Sequence, residues 1–232
     1  MTNALLQIKI KQRLNKLASL DYDNLQCWQI QEAFNKAQLE WTRRMMYGYN
    51  LRKEGTEQST GLVDDLRVLM TGADLKPVDQ KIYAEASLPA DYLYYVRVDV
   101  FAKSECCPER RMTVYEAEEA NMAVLLNTSD KSPSFEWAET LSSLVGDKVR
   151  VYTNGQFDIT SVNLVYYRKP REVQFAGCVS PSTGAAITTD VTCEFKDDIA
   201  EILADETAAI IAGDIESLLQ YQRETQEVQK NS

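Results

Sequence analysis

Leu164-Val165-Tyr166-Tyr167-Arg168-Lys169-Pro170, a Gly/Ser/Thr-rich span, and then Phe195-Lys196-Asp197-Asp198-Ile199-Ala200-Glu201-Ile202-Leu203-Ala204 form the stretch on which the fold turns. Its first part is β-branched and aromatic, as a strand is. From Phe195 the apolar positions Phe195, Ile199, Ile202, Leu203, Ala209, Ile210 and Leu218 follow the three- and four-residue steps of a helix with one buried face. Asp198 and Glu201 have the spacing of a capping box, with a carboxylate in place of the usual hydroxyl. Beyond Leu219 the apolar stripe nearly vanishes, so the predicted helix outlasts its own core and reads as an element seeking a neighbour.

Working outward, Leu6, Ile10, Leu14 and Leu17 mark one helical stripe, and Ile30, Phe34, Ala37, Trp41 and Met45 a second, with Asp21 or Asp23 as cap between them. Residues 48–61 lose that period, gain Gly48, Gly55 and Gly61, and read as a loop, either a contact element for a partner or a merely disordered connection. From about residue 81 the period becomes two. Leu93, Tyr95, Arg97, Asp99 and Phe101 alternate with Tyr94, Val96, Val98 and Val100, the pattern of a half-buried strand. Further strands are expected at 111–115, 148–152 and 162–167, with a short helix at Glu118 to Leu126. Asn154-Gly155 predicts a hairpin between 149–152 and 157–159, because both centres of a type I′ turn need positive φ. A second hairpin is expected from 173–176 and 190–193. The fold expected is α+β: a helical body from N-terminal helices and a long C-terminal helix, with an inserted small antiparallel β layer. The parts would be a helical region 1–80, a β-rich insertion 81–192, and a C-terminal helix 193–232 packing on the first.

The 232 residues contain no histidine, the usual general base near neutral pH and the commonest zinc ligand. No Gly-rich phosphate loop is present either, so neither a histidine triad nor a nucleotide loop is available. Asp64-Asp65, Glu118-Glu119 and Asp197-Asp198 offer carboxylate pairs of the glycosidase kind, but a surplus of 35 acidic over 25 basic residues produces such pairs on a solvated face. A net charge of −10 opposes a protein that grips DNA phosphates. The basic clusters Arg43-Arg44, Arg110-Arg111 and Arg168-Lys169-Pro170-Arg171 suit either salt-bridged segment ends or pairing between subunits. No stretch approaches the roughly 20 apolar residues that span a bilayer. The five cysteines, Cys27, Cys106, Cys107, Cys178 and Cys193, are scattered without a C-x-x-C pair and are expected to be reduced, with Cys106-Cys107 in a hairpin turn. The early polar residues of the N-terminus argue against a signal peptide, and a cytoplasmic site of synthesis and assembly is expected.

Several segments in order resemble one family. They are Leu88-Pro89-Ala90-Asp91-Tyr92, Lys131-Ser132-Pro133-Ser134-Phe135-Glu136-Trp137, Tyr166-Tyr167-Arg168-Lys169-Pro170, and Cys193-Glu194-Phe195-Lys196-Asp197-Asp198-Ile199 leading into Ala208-Ala209-Ile210-Ile211-Ala212-Gly213-Asp214. Their order and spacing, over roughly residues 85 to 230, resemble the head-to-tail adaptor or ring proteins of short-tailed bacteriophages, most closely those of crAss-like phages. The resemblance implies a non-enzymatic virion protein without cofactor or metal. It would assemble with itself as a ring, commonly of twelve copies, beneath the phage portal protein. The ring would extend and seal the DNA channel and dock adjacent tail or ring proteins, with DNA passing through unbound and no membrane involved. On this reading Arg168, Lys169 and Arg171, together with Gln222, Arg223, Gln226 and Gln229 of the C-terminal tail, are the candidate contact residues. Another class remains open: a non-catalytic β module of a phage tail or bacterial cytoplasmic protein, whose Tyr94, Tyr95, Tyr166 and Tyr167 hold a carbohydrate or peptide in a concave patch.

Overall fold

The computed structural model describes residues 1–14, 25–47, 64–104, 107–180 and 183–214. The chain divides into two compact units, one of Met1–Val68 with Pro170–Ser232 and one of Leu69–Lys169. Leu17, the Asp21/Asp23 cap, the 48–61 loop, Cys106 and the tail beyond Asp214 lie outside the described residues.

In the first unit, α1 (Asn3–Leu14) and α2 (Cys27–Tyr47) both pack against α4 (Asp197–Asp214). Most of the expected stripe positions face inward: Leu6, Ile10 and Leu14 from α1, Ile30, Phe34, Ala37 and Trp41 from α2, and Phe195, Ile199, Leu203 and Ala209 leading into and along α4 are buried, whereas Met45, Ile202 and Ile210 are half-buried and their neighbours Met46 and Ile211 are buried. Ala200, Ala204, Ala208 and Ala212, four residues apart and buried, add a row of small side chains to α4 that permits close helix approach. The Trp41 and Phe195 rings meet edge-on at 5.1 Å. Glu201, expected to complete a capping box, instead pairs with Lys9 and with Arg13 at 2.8 Å. The helix begins at Asp197, so Asp198 lies within its first turn rather than at the N-cap.

The expected hairpin after Pro170 is present, and one flank of α2 holds it. Asn35 Nδ2 donates to the Val173 carbonyl at 3.2 Å while its Oδ1 accepts from Val173 N–H at 2.8 Å. Gln31 Oε1 accepts from Phe175 N–H at 3.1 Å. Side-chain amides thus serve the extended backbone as a neighbouring strand would. Across the hairpin, Gln174 and Val191 exchange both backbone bonds, at 3.0 and 3.1 Å. Cys27 and Cys178 are joined as a disulfide, their Cα atoms 5.8 Å apart, which corrects the expectation of five reduced thiols.

The second unit overturns the expected fold class. It is an eight-stranded mixed sheet, curled as a half-barrel, in the order β1-β8-β4-β5-β6-β7-β3-β2, and it dominates the described residues, among which helices are few. The strands are β1 (Met70–Leu75), β2 (Val78–Asp79), β3 (Tyr83–Ser87), β4 (Tyr92–Ser104), β5 (Cys107–Glu116), β6 (Glu139–Val145), β7 (Lys148–Tyr152) and β8 (Asp158–Arg168). A helical body with a small antiparallel layer underestimated it for three physical reasons. β1, Met-Thr-Gly-Ala-Asp-Leu, has little strand propensity of its own and is formed by pairing with β8. β6 shows no alternation because Thr140, Leu141, Ser142 and Ser143 are all buried. β5 and β6 run parallel, joined through α3 (Glu119–Asn127), a long-range pairing that local periodicity does not encode.

The long strands β4 and β8 form the spine. Their register shifts at Tyr92/Tyr94, Tyr95/Arg97 and Phe101/Ala102, and such bulges increase local twist and bend a sheet. One face of the sheet closes on Val98, Val100, Ala102, Met112, Val149, Val151, Ile159, Val162, Leu164 and Tyr166. Burying each of the larger aliphatic side chains contributes about 1.5–3 kcal/mol before chain entropy is subtracted. On β6 and β7, Leu141 and Tyr152 instead meet Met122 of α3.

Asn154 and Gly155 have the expected positive φ, 51° and 71°. The strands they join do not pair, however: β7 lies between β6 and β3, and β8 between β1 and β4. The turn links two distant parts of the sheet, so a hairpin read from Asn-Gly is corrected to a tight reversal without a ladder. A Cβ at Gly155 would sit 3.3 Å from the Lys81 carbonyl oxygen. Gly155→Val is therefore expected to lower stability by roughly 1–3 kcal/mol, through strain at positive φ and that contact, while Asn154→Gly is near neutral. Urea unfolding checks the contrast; equal midpoints for the two variants would contradict it.

Candidate interaction surface

At least one member of each carboxylate pair singled out in the sequence is engaged by a cation or a local donor. Lys196 Nζ lies 3.0 Å from both Asp64 and Asp65. Asp197 takes the N-terminal amine. Glu119, in the first turn of α3, accepts from Ser143 Oγ at 2.6 Å, from the Tyr152 hydroxyl at 2.8 Å and from Arg150 at 3.2 Å. The Ser143 hydrogen bond foremost, with Tyr152 and Arg150, holds its carboxyl below the ordinary range. This node pins α3 to β6 and β7. Among the described residues no group of three or more metal-ligating side chains is assembled, and no helix is long and apolar enough to cross a membrane.

The four tyrosines do not share one open patch. Tyr166 is buried, its hydroxyl donating to Asp91 Oδ1 at 2.9 Å, and burial followed by that carboxylate pushes its pKa to about 12. Tyr95 packs against the core and is also pushed up, mainly by burial, whereas Tyr94 is exposed. The bulges on either side of this segment break the simple alternation on which a common face would depend.

The outer face of β4 and β5 has a different character. Arg97 lies 3.3 Å from Asp99, and Arg111 pairs with the same carboxylate; both guanidinium side chains remain open to solvent. Phe101, the Cα partner of Arg111, is 39% exposed. Two residues along β5 from Thr113, Tyr115 is 51% exposed and donates to Glu139 Oε1 at 3.2 Å. Glu139 follows the turn that carries Trp137, which is 76% exposed. The turn is fixed by Ala138 at φ 58° and by the Thr113 N–H bond to the Ala138 carbonyl at 2.6 Å. Three exposed aromatic rings and two guanidinium groups therefore belong to neighbouring positions of one sheet region. Beside Tyr115 lies a groove of about 370 Å³, bordered by Glu116, Leu125, Asp130, Lys131 and Glu139.

Arg110 points the other way. Its guanidinium stacks over the Phe135 ring at 4.4 Å, and Phe135 meets Phe157 at 5.9 Å. Adjacent arginines on a strand are thus divided between the two faces, one held by an aromatic ring and one by a carboxylate.

Of the contact residues named from the sequence, Arg168 ends β8 with Nη1 donating to the Lys169 carbonyl at 3.2 Å, and Lys169 is exposed. Arg171, in the other unit, is 73% exposed, its N–H bonded to Glu194 Oε1 at 2.9 Å. Gln222, Arg223, Gln226 and Gln229 lie outside the described residues. Phe101, Tyr115 and Trp137 did not stand out in the sequence as contact residues. The available signal was a tryptophan, Glu136-Trp137-Ala138, outside any core-forming period.

No protein-family model matches this chain, and no curated protein matches it.

Proposed function

We propose that the chain is a structural subunit of a short-tailed bacteriophage virion, a connector that forms a closed ring of twelve copies below the portal, extends and seals the DNA channel, and docks further tail proteins. The observation that carries this reading is the uncovered outer face of β4 and β5, with Arg97, Arg111, Phe101 and Tyr115 beside Trp137. Exposed Trp, Tyr and Arg are the residue types that dominate protein–protein binding energy. A catalytic cleft would instead gather titratable groups around a cavity.

A ring contact is heterologous, so each subunit must offer two unlike surfaces. The aromatic and arginine-bearing sheet face is one; the C-terminal tail and Arg168, Lys169 and Arg171 are the candidates for another. A net charge of −10 suits a conduit through which DNA slides without being held.

Mixing the purified protein with portal rings of related phages, followed by electron microscopy with rotational averaging, tests the reading. An added ring with the portal's symmetry is expected. Trp137→Ser combined with Arg111→Glu should reduce ring occupancy at least ~10-fold while leaving the far-UV spectrum unchanged, because both side chains are exposed. A monomer that joins no portal, or a double variant that assembles as well as the native chain, would falsify the assignment of function or of surface respectively.

A further inference from the structure

We infer that Cys27 and Cys178 form a reversible redox clasp that fixes the tip of the 173–191 hairpin to the first turn of α2. The two ends of this hairpin are held differently. At its base, Asn35 and Gln31 of α2 bind the backbone of Val173 and Phe175, and Asn3 Nδ2 donates to the Gln174 carbonyl at 2.9 Å and to Asp190 at 3.0 Å. From Gly177 outward the strands bond to each other: Gly177 N–H to the Ile187 carbonyl at 2.8 Å and Ile187 N–H to the Cys178 carbonyl at 2.7 Å. Val179 and residues 183–186 are exposed, whereas Cys178 is buried. The covalent link at Cys178 therefore joins an otherwise outward-facing tip to the helix.

The backbone is already placed for the bond, with Cα atoms 5.8 Å apart, inside the usual disulfide range. Cys27 is half-buried and Cys178 buried, so an external thiolate reaches the Cys27 sulfur first. That attack forms a mixed disulfide at Cys27 and releases Cys178 as the thiolate, which takes a proton. A second external thiol then displaces Cys27, leaving two protein thiols and one external disulfide. The reverse reaction, with a low-molecular-weight disulfide such as oxidised glutathione as the two-electron oxidant, closes the clasp and yields two external thiols.

The remaining described cysteines differ from this pair. Cys193 is part-buried, its Sγ 3.6 Å from Gln38 Oε1, and burial pushes its thiol up to about 11, leaving little nucleophilic thiolate. Cys107 is exposed on β5 in the other unit.

The full chain, equilibrated with oxidised or reduced glutathione and then alkylated under denaturing conditions, tests the clasp by peptide mass spectrometry. The oxidised sample should contain a peptide linking Cys27 to Cys178. Reduction should speed elastase cleavage after Ala185 or Ala186 by ~10-fold and raise amide exchange at Ile187, with the Val173 and Phe175 amides unchanged. Cys27→Ser should cleave at the reduced rate under both conditions, while Cys107→Ser should retain the full redox response. Alkylation of both Cys27 and Cys178 after oxidation, or identical tip cleavage in the two states, overturns the inference.

Discussion

Leu164→Ala is expected to lower the stability of the sheet unit by about 2–5 kcal/mol, whereas Val165→Ala, one residue along the same strand, should cost under ~1 kcal/mol. Leu164 is fully buried on β8, opposite Ala73 of β1 and Val98 of β4, while Val165 faces the outer side at half burial. Truncating Leu164 removes apolar contacts and leaves a cavity between two paired strands, where the backbone ladders limit collapse. Small neighbours such as Ala73 cannot fill the space. Urea denaturation followed by the far-UV signal of the sheet measures both variants. Similar losses at the two positions would mean that β8 does not bury one face and expose the other, and the register of the half-barrel would have to be redrawn.

Arg44→Ala should destabilise the helical unit, and its cost should depend on pH. Glu206 of α4 is buried at a contact with α2, and Arg44 supplies its ion pair. Burial foremost raises the Glu206 pKa to about 7, against the opposing pull of Arg44 and with help from Glu40 and Asp205. Its carboxyl thus binds a proton more tightly in the folded chain than in the unfolded one. The stability contributed by that proton is fully present below about pH 4.5 and is lost as pH rises through about 7, a change on the order of 3 kcal/mol. Carboxyls whose pKa is lowered, such as Asp64, Glu119 and Asp190, act at the other end: their contribution is lost as pH falls below the ordinary carboxylate range.

At pH 8 the variant must bury an unpaired carboxylate or keep it protonated; because Glu206 ionises only about one pH unit below that, the loss rises to about 2–2.5 kcal/mol. At pH 5, where Glu206 is already neutral, the loss should fall to roughly 1 kcal/mol. Glu206→Gln should flatten the profile of the native protein between pH 5 and 8. A cost for Arg44→Ala that is the same at both pH values would show that Glu206 does not ionise in that range.

Helical elements were legible wherever one element buries one stripe. Leu6, Ile10 and Leu14, and Ile30, Phe34, Ala37 and Trp41, face inward as their spacing required, because a helix makes its backbone bonds within itself and leaves the side-chain pattern as the main variable. The strand character of β4 was equally plain at Val98 and Val100. It failed near Tyr94, where register shifts change which residues face inward. The Asn154-Gly155 turn was correct in backbone conformation and incorrect in consequence, since a turn sets the local direction of the chain but not which strands then pair.

The surface was less visible than the fold. Trp137, Tyr115 and Phe101 resemble core residues by type, and only the sheet region in which they lie makes them exposed. Likewise Arg110 and Arg111 are identical in sequence terms, yet one packs on Phe135 and the other meets Asp99.

By itself the sequence determined the helices, the central strands, the tight turns and the acidic charge, since each depends on residues near one another along the chain. Tertiary structure alone decided that strands beginning at Met70 join those of the middle into one curled sheet, that β5 and β6 run parallel, that Cys27 meets Cys178, and which aromatic side chains remain outside. Those outcomes depend on partners tens of residues away, whose pairing energy overrides weak local preference and leaves no periodic trace in either segment.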